Sequence, residues 1–181
     1  MKFAIAEMTF SPPLSAPVTY DDWMQTTQSL DHCIESRQIQ WLYSLVSVKG
    51  DRSICVYGVP YADAVREAYR EARMAFQQVW PAELWLDQEP TSVPQGASLV
   101  VAEVIFDPPM TKTYYDETKI QAGGCFHELN IKPLVSLISL DGKNAICLFV
   151  SASAEHVRSL YRKINKPFKH VWKATLIQPK V

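Results

Sequence analysis

Apolar residues along this chain recur in two periods, and the order of those periods predicts the elements. Residues 2–10 are rich in Phe, Ala and Ile and end at Pro12-Pro13, which predicts a strand stopped by its prolines. A helix is predicted to begin near Thr19-Tyr20-Asp21-Asp22, with Trp23, Leu30 and Ile34 on one face. Two strands follow, 41–48 and 52–59, joined by a turn at Lys49-Gly50-Asp51. Val65, Ala68, Tyr69 and Ala72 then stand at helical spacing, and 79–86 reads as a last strand. The predicted order is strand, helix, strand, strand, helix, strand.

The same order is written twice. Residues 41–84 align without a gap on 133–176 at an offset of 92, with 17 of 44 positions identical. The identities include Ser44, Gly50, Ile54, Cys55, Val65, Arg66, Tyr69, Arg70, Val79 and Trp80. Upstream the offset is 96, where Ala6-Glu7, Phe10 and Pro12-Pro13 match Ala102-Glu103, Phe106 and Pro108-Pro109. The four-residue difference is assigned to the first helix and the loop after it. The helix of the second copy starts near Thr111 and is expected to stop at Gly123-Gly124. Repeat 1 is therefore placed at 1–86, a linker at 87–97, and repeat 2 at 98–181.

A βαββαβ unit is ferredoxin-like, with two helices on one face of a four-stranded antiparallel sheet. Its other face needs cover. Two copies in one chain supply it if their sheets face each other, which predicts an intramolecular α+β barrel of the dimeric type.

Strand parity divides the two faces. Ile54 and Val56, with Ile146 and Leu148, are expected under the helices, leaving Cys55, Tyr57, Cys147 and Phe149 on the open face. Glu7 and Glu103 fall on the open face of the first strand of each copy. A carboxylate there is costly unless it is paired, protonated or metal-bound. Glu7, Glu103, Cys55, Cys147, Tyr57 and Phe149 are thus the ligand-cavity candidates. Two alternatives stand beside each other: the glutamates line a functional cavity, as metal ligands or as acid and base, or each bonds an Arg or a backbone donor or sits at a wet rim. His32-Cys33 and Cys125-x-His127 supply further metal-type ligands, although helical spacing turns His32 away from Trp23 and Leu30. Trp80 and Trp172 read as core, and Arg66, Arg70, Arg158 and Arg162 as a solvated helix face.

Composition changes this picture little. Lys plus Arg number 18 against 19 Asp plus Glu in 181 residues, without the basic excess of a nucleic-acid binder. No apolar run reaches the ~18 residues of a membrane span. With no export signal in the sequence, the four cysteines are expected as free thiols in a cytoplasmic protein. There is no P-loop, dinucleotide fingerprint, nucleophile elbow or His-Glu-x-x-His.

The stretch Ile54-Cys55-Val56-Tyr57-Gly58-Val59-Pro60, followed by Ala62-Asp63-Ala64-Val65-Arg66-Glu67-Ala68, resembles a family of small ferredoxin-like proteins of unknown function that includes nickel-binding members. Cys147-Leu148-Phe149 with Ala154-Glu155-His156-Val157-Arg158 resembles it more loosely. The resemblance implies a ferredoxin-like fold, pairing of sheets into a barrel, and binding of nickel or another divalent transition metal. Glu7, Glu103, His32 and His127 are the metal candidates. Gly58 and Val150 depart from the family, which carries Glu after the aromatic residue.

These expectations converge on a binding protein, monomer or homodimer, that holds a metal ion or small molecule between its repeats. The rival is a cofactor-independent enzyme of the α+β-barrel type, monooxygenase- or isomerase-like. A third reading is a structural module whose open sheets pair with another chain.

Overall fold

Thr19 and Thr111 each cap a helix. Thr19 accepts a hydrogen bond from the Asp22 amide, and Asp22 returns one from the Thr19 amide, both at 3.1 Å. Thr111 accepts from the Tyr114 amide at 3.2 Å. The structure, a computed structural model, describes residues 1–87 and 96–180. Its elements are β1 (Lys2–Thr9), α1 (Tyr20–Thr27), a 3-10 turn (Gln28–Leu30), α2 (Asp31–Ser36), β2 (Gln40–Ser47), β3 (Arg52–Val59), α3 (Ala64–Glu71) and β4 (Gln78–Asp87). They continue as β5 (Leu99–Ile105), α4 (Lys112–Glu128), β6 (Lys132–Ser139), β7 (Asn144–Val150), α5 (Ala154–Lys163) and β8 (His170–Ile177). The strands are antiparallel, hydrogen-bonded in the order β4-β1-β3-β2 in the first half of the chain and β8-β5-β7-β6 in the second.

Two compact units divide the chain. Unit 1 is Met1–Ala82 with Thr175–Val181, and unit 2 is Glu83–Ala174. They differ from the expected repeats 1–86 and 98–181 at the strand ends, because β4 and β8 each contribute their last residues to the other unit. Of the expected linker 87–97, residues 88–95 lie outside the described residues. Within unit 1, β1 pairs with both β3 and β4, and β2 with β3. Within unit 2, β5 pairs with both β7 and β8, and β6 with β7.

The four extra residues of the first half lie before the helix, not in it or after it. Leu14 and Met110 are equivalent at an offset of 96, since their amides donate to Gly50 and Gly142 oxygens at 2.9 and 2.8 Å. The capping threonines are already equivalent at 92. Ser15–Val18 is therefore the insertion.

Gly123-Gly124 does not stop the second helix. α4 runs on to Glu128 and ends where Asn130 turns to φ 53°, with the Ile131 amide returning to the Phe126 oxygen at 2.9 Å. Gln38, also 92 residues earlier, does the same at φ 55°, with Ile39 returning to Ile34. Packing and this left-handed cap hold α4 against the glycines' preference for disorder. A Cβ at either glycine would meet nothing within 4 Å. Gly123→Ala/Gly124→Ala is expected to stabilise the protein by about 1–2 kcal/mol in urea unfolding; an unchanged or lowered midpoint would refute that account of α4.

The helices cover one face of the strands. Ala4, Ala6, Met8, Cys55 and Tyr57 pack with Trp23, Val65, Ala68 and Tyr69. In unit 2, Val100, Ala102, Val104, Cys147 and Phe149 pack with Val157, Leu160 and Tyr161. Arg66 and Arg158 are not simply solvated. Each reaches past its helix to donate to a strand carbonyl, Val79 or Val171, the latter at 2.7 Å.

Candidate ligand-binding site

Beta-bulges in β2 and β6 decide what lies under the first helix. The register of β2 on β3 shifts between Trp41 and Tyr43, so Trp41 stands opposite Tyr57 and Ser44 opposite Cys55. Residues three apart thereby share a face, which regular alternation forbids. The same shift falls between Pro133 and Val135, setting Pro133 opposite Phe149 and Ser136 opposite Cys147. Both bulges turn these side chains toward the helices.

In unit 1 the result is a pocket of about 310 Å³ between the strands and the α1–α2 segment. Trp23, Trp41 and Tyr57 supply aromatic walls, and Met24, Leu30, Ile34 and Ile39 aliphatic ones. Thr27 and Ser44 add hydroxyls, and Asp31 and Glu35 stand at the exposed side. The inner polar atoms are satisfied among themselves. The Trp41 indole donates to Ser44 Oγ at 2.9 Å, Ser44 Oγ lies 3.1 Å from Cys55 Sγ, and Thr27 Oγ1 donates to the Trp23 carbonyl at 3.0 Å. Behind Tyr57, its hydroxyl meets that of Tyr69 at 2.9 Å.

Unit 2 has a smaller pocket of about 80 Å³ in the corresponding place. Seven lining pairs sit 92 residues apart: Trp23 and Tyr115, Thr27 and Lys119, Leu30 and Ala122, Ile34 and Phe126, Trp41 and Pro133, Ser44 and Ser136, Tyr57 and Phe149. Here Tyr115 donates to Ser136 at 2.8 Å, in the role of the Trp41 indole.

Burial sets the protonation of the inner groups. It pushes the Cys55 and Cys147 thiols up, against the pull of their serine neighbours. It raises Tyr57, Tyr69 and Tyr161 well above the ordinary phenol value, and Tyr115 to about 12. All are neutral at pH 7. The sign of the pH dependence follows: folding holds these protons more tightly than the unfolded chain does. Stability is therefore fully present below the unfolded thiol and phenol values, about 8.5 and 10, and is lost as pH rises through 10 toward 12. Urea midpoints from pH 7 to 11.5 are expected to fall across that window, with phenolate absorbance appearing together with unfolding. Midpoints flat to pH 11 with ordinary titration of all eight tyrosines would contradict this.

The structure separates the residues singled out from sequence. The register sets Ala6 opposite Cys55 and Glu7 opposite Ile54, so Glu7 and Cys55 face opposite ways. Ala102 with Cys147 and Glu103 with Ile146 repeat this. Cys55, Tyr57, Cys147 and Phe149 lie under the helices; Ile54, Val56, Ile146 and Leu148, expected there, lie on the other face. Those four are as buried as the first set, so apolar character alone could not tell the faces apart. Glu7 and Glu103 each accept from an indole, Trp80 at 2.8 Å and Trp172 at 2.7 Å. Each carboxylate thus has an indole among its donors, as the bonded-carboxylate alternative requires of at least one protein partner.

Among the described residues no group of three or more His, Cys, Asp and Glu is placed to hold an ion. His32 and His127 are exposed, on α2 and α4, whereas the Cys55 and Cys147 thiols are buried. All four histidines are exposed and none lines either pocket. No helix among the described residues is long and apolar enough to cross a membrane.

No family model matches the chain, and no curated protein matches it in sequence. Solved structures do. A chlorite dismutase variant from Candidatus Nitrospira defluvii is similar at TM-score 0.50 and 11% identity, covering 97% of this chain and 89% of its own. A haem-binding protein from Thermus thermophilus gives 0.48 and 11%, covering 97% and 90%. An anthrone oxidase-like protein gives 0.49 and 8%, covering 99% and 92%. At such identities the first of these speaks for the barrel fold alone.

Proposed function

We propose that the chain is a tandem of two ferredoxin-like units that binds a small organic molecule, and that the ligand sits inside unit 1, under α1 and α2. One observation carries this reading: a pocket of about 310 Å³ with three aromatic walls, at the lower end of the ~300–1,000 Å³ typical of ligand sites. The duplication adds support, because a second pocket occupies the same place in unit 2. Binding is favoured over catalysis by the inner lining. Its polar groups are hydroxyls and an indole bonded to one another, which give shape and orientation but no base inside the pocket. The test is a fragment screen by ligand-observed NMR on the intact protein beside Met24→Trp/Ile34→Trp, which places two indoles on the helix side of the pocket. Fragments that bind the parent and lose at least about tenfold affinity in the variant are expected. Fragments that bind both equally would contradict the assignment.

A further inference from the structure

The mouths of the two pockets have opposite charge, although they occupy the same place in the two units. Unit 1 lines its pocket with Asp31 and Glu35 and with no Lys, Arg or His. Unit 2 lines its own with Lys119 and Lys166 and with no Asp or Glu. At positions 92 apart, Thr27 corresponds to Lys119, Asp31 to Gly123 and Glu35 to His127. Every one of these changes runs toward positive charge. Ser44 and Ser136 keep a hydroxyl and Tyr57 and Phe149 an aromatic ring, while Trp41 gives way to Pro133 and Ile34 to Phe126.

Asp31 and Glu35 stand four residues apart on α2, where like charges repel. Among the described residues neither has an ion-pair partner, while Arg37 nearby is taken up by Glu67 and Glu71. A cation in the pocket would relieve that repulsion. The walls behind it favour the same guest, since Trp and Tyr faces attract alkylated ammonium groups more strongly than neutral groups of the same shape.

We propose that the unit 1 pocket selects a small alkylammonium compound, its cationic head between the aromatic walls and the Asp31 and Glu35 carboxylates. This rests on the binding function proposed above and names its ligand class. Unit 2 serves as the internal reference, because its lysine-lined mouth repels the same head.

Three probes of one shape and different charge test it on the full chain: choline, 3,3-dimethyl-1-butanol and 3,3-dimethylbutyrate, titrated by calorimetry. Choline is expected to bind at least about tenfold more tightly than the neutral alcohol, with the carboxylate weakest. Asp31→Asn/Glu35→Gln is expected to remove that margin, so that choline and the alcohol bind the variant with similar affinity. Both carboxylates are exposed, so the variant should fold, and an unchanged urea midpoint checks it. Met24→Trp/Ile34→Trp should abolish choline binding and so place it in this pocket. If the alcohol binds as tightly as choline, the charge selection falls while the pocket as a binding site stands. If choline fails to bind, or binds alike in the parent and the charge-neutral variant, the proposal is overturned. If fragments in the separate screen ignore the blocked variant, the binding function itself falls.

Discussion

Trp23→Ala is expected to lower the unfolding free energy by about 3–5 kcal/mol. The side chain is 1% exposed and meets Phe10 edge-on, with ring centroids 6.1 Å apart. It fixes α1 to the strands at the point where the helix begins to roof the pocket. Removing the indole deletes this contact and opens the floor of an existing cavity, which neighbouring side chains are badly placed to refill. Its counterpart Tyr115 is only half-buried, so Tyr115→Ala should cost clearly less. Urea unfolding followed by circular dichroism reads both. A loss under about 1 kcal/mol for Trp23→Ala would mean that α1 is not anchored in this way.

Gly50→Ala is expected to cost about 2–4 kcal/mol, with Gly142→Ala close behind. Gly50 sits at φ 76°, and a Cβ there would collide with the Leu14 carbonyl oxygen. The loop cannot retreat freely, because the Leu14 amide donates to the Gly50 oxygen at 2.9 Å. At Gly142, with φ 72°, the Cβ would lie 2.6 Å from the Met110 oxygen. Gly96 separates the two causes. Its φ is 84° but no described residue lies within 4 Å of where its Cβ would stand, so Gly96→Ala should show only the left-handed backbone cost of about 1–2 kcal/mol. Equal losses at Gly50 and Gly96 would show that the packed loop contributes nothing.

The element order was legible because it rests on strong local signals: proline stops, capping threonines, and the helical spacing of Val65, Ala68 and Tyr69. The pairing of equivalent positions was legible too, since Gly50 and Gly142, or Ser44 and Ser136, are identical residues at one offset. The faces of β3 and β7 were not. Ile54 and Cys55 are both buried, so alternation marks two faces without saying which one the helices take. Register settles it: the first strand's parity placed Glu7 correctly away from Ala6, and carrying that parity across to Ile54 requires knowing that these two residues are opposite. The pocket was hidden for a related reason. Trp41 and Ser44 share a wall only because of the bulge, and a residue inserted into a strand leaves no periodic trace. The extent of α4 was obscured by its glycines, whose weak helix preference is overridden by tertiary packing and by the cap at Asn130. Cys33 and Cys125 also stand 92 residues apart, a repeat that bears on neither pocket lining.

A crystal structure of the full chain soaked with fragments retained in the screen tests the central claim most directly. The account predicts ligand density in the unit 1 pocket, against Trp23, Trp41 and Tyr57 and beneath α2. Density confined instead to the strand face that carries Glu7 in unit 1, or to the one that carries Glu103 in unit 2, with the unit 1 pocket free of ligand, would contradict it.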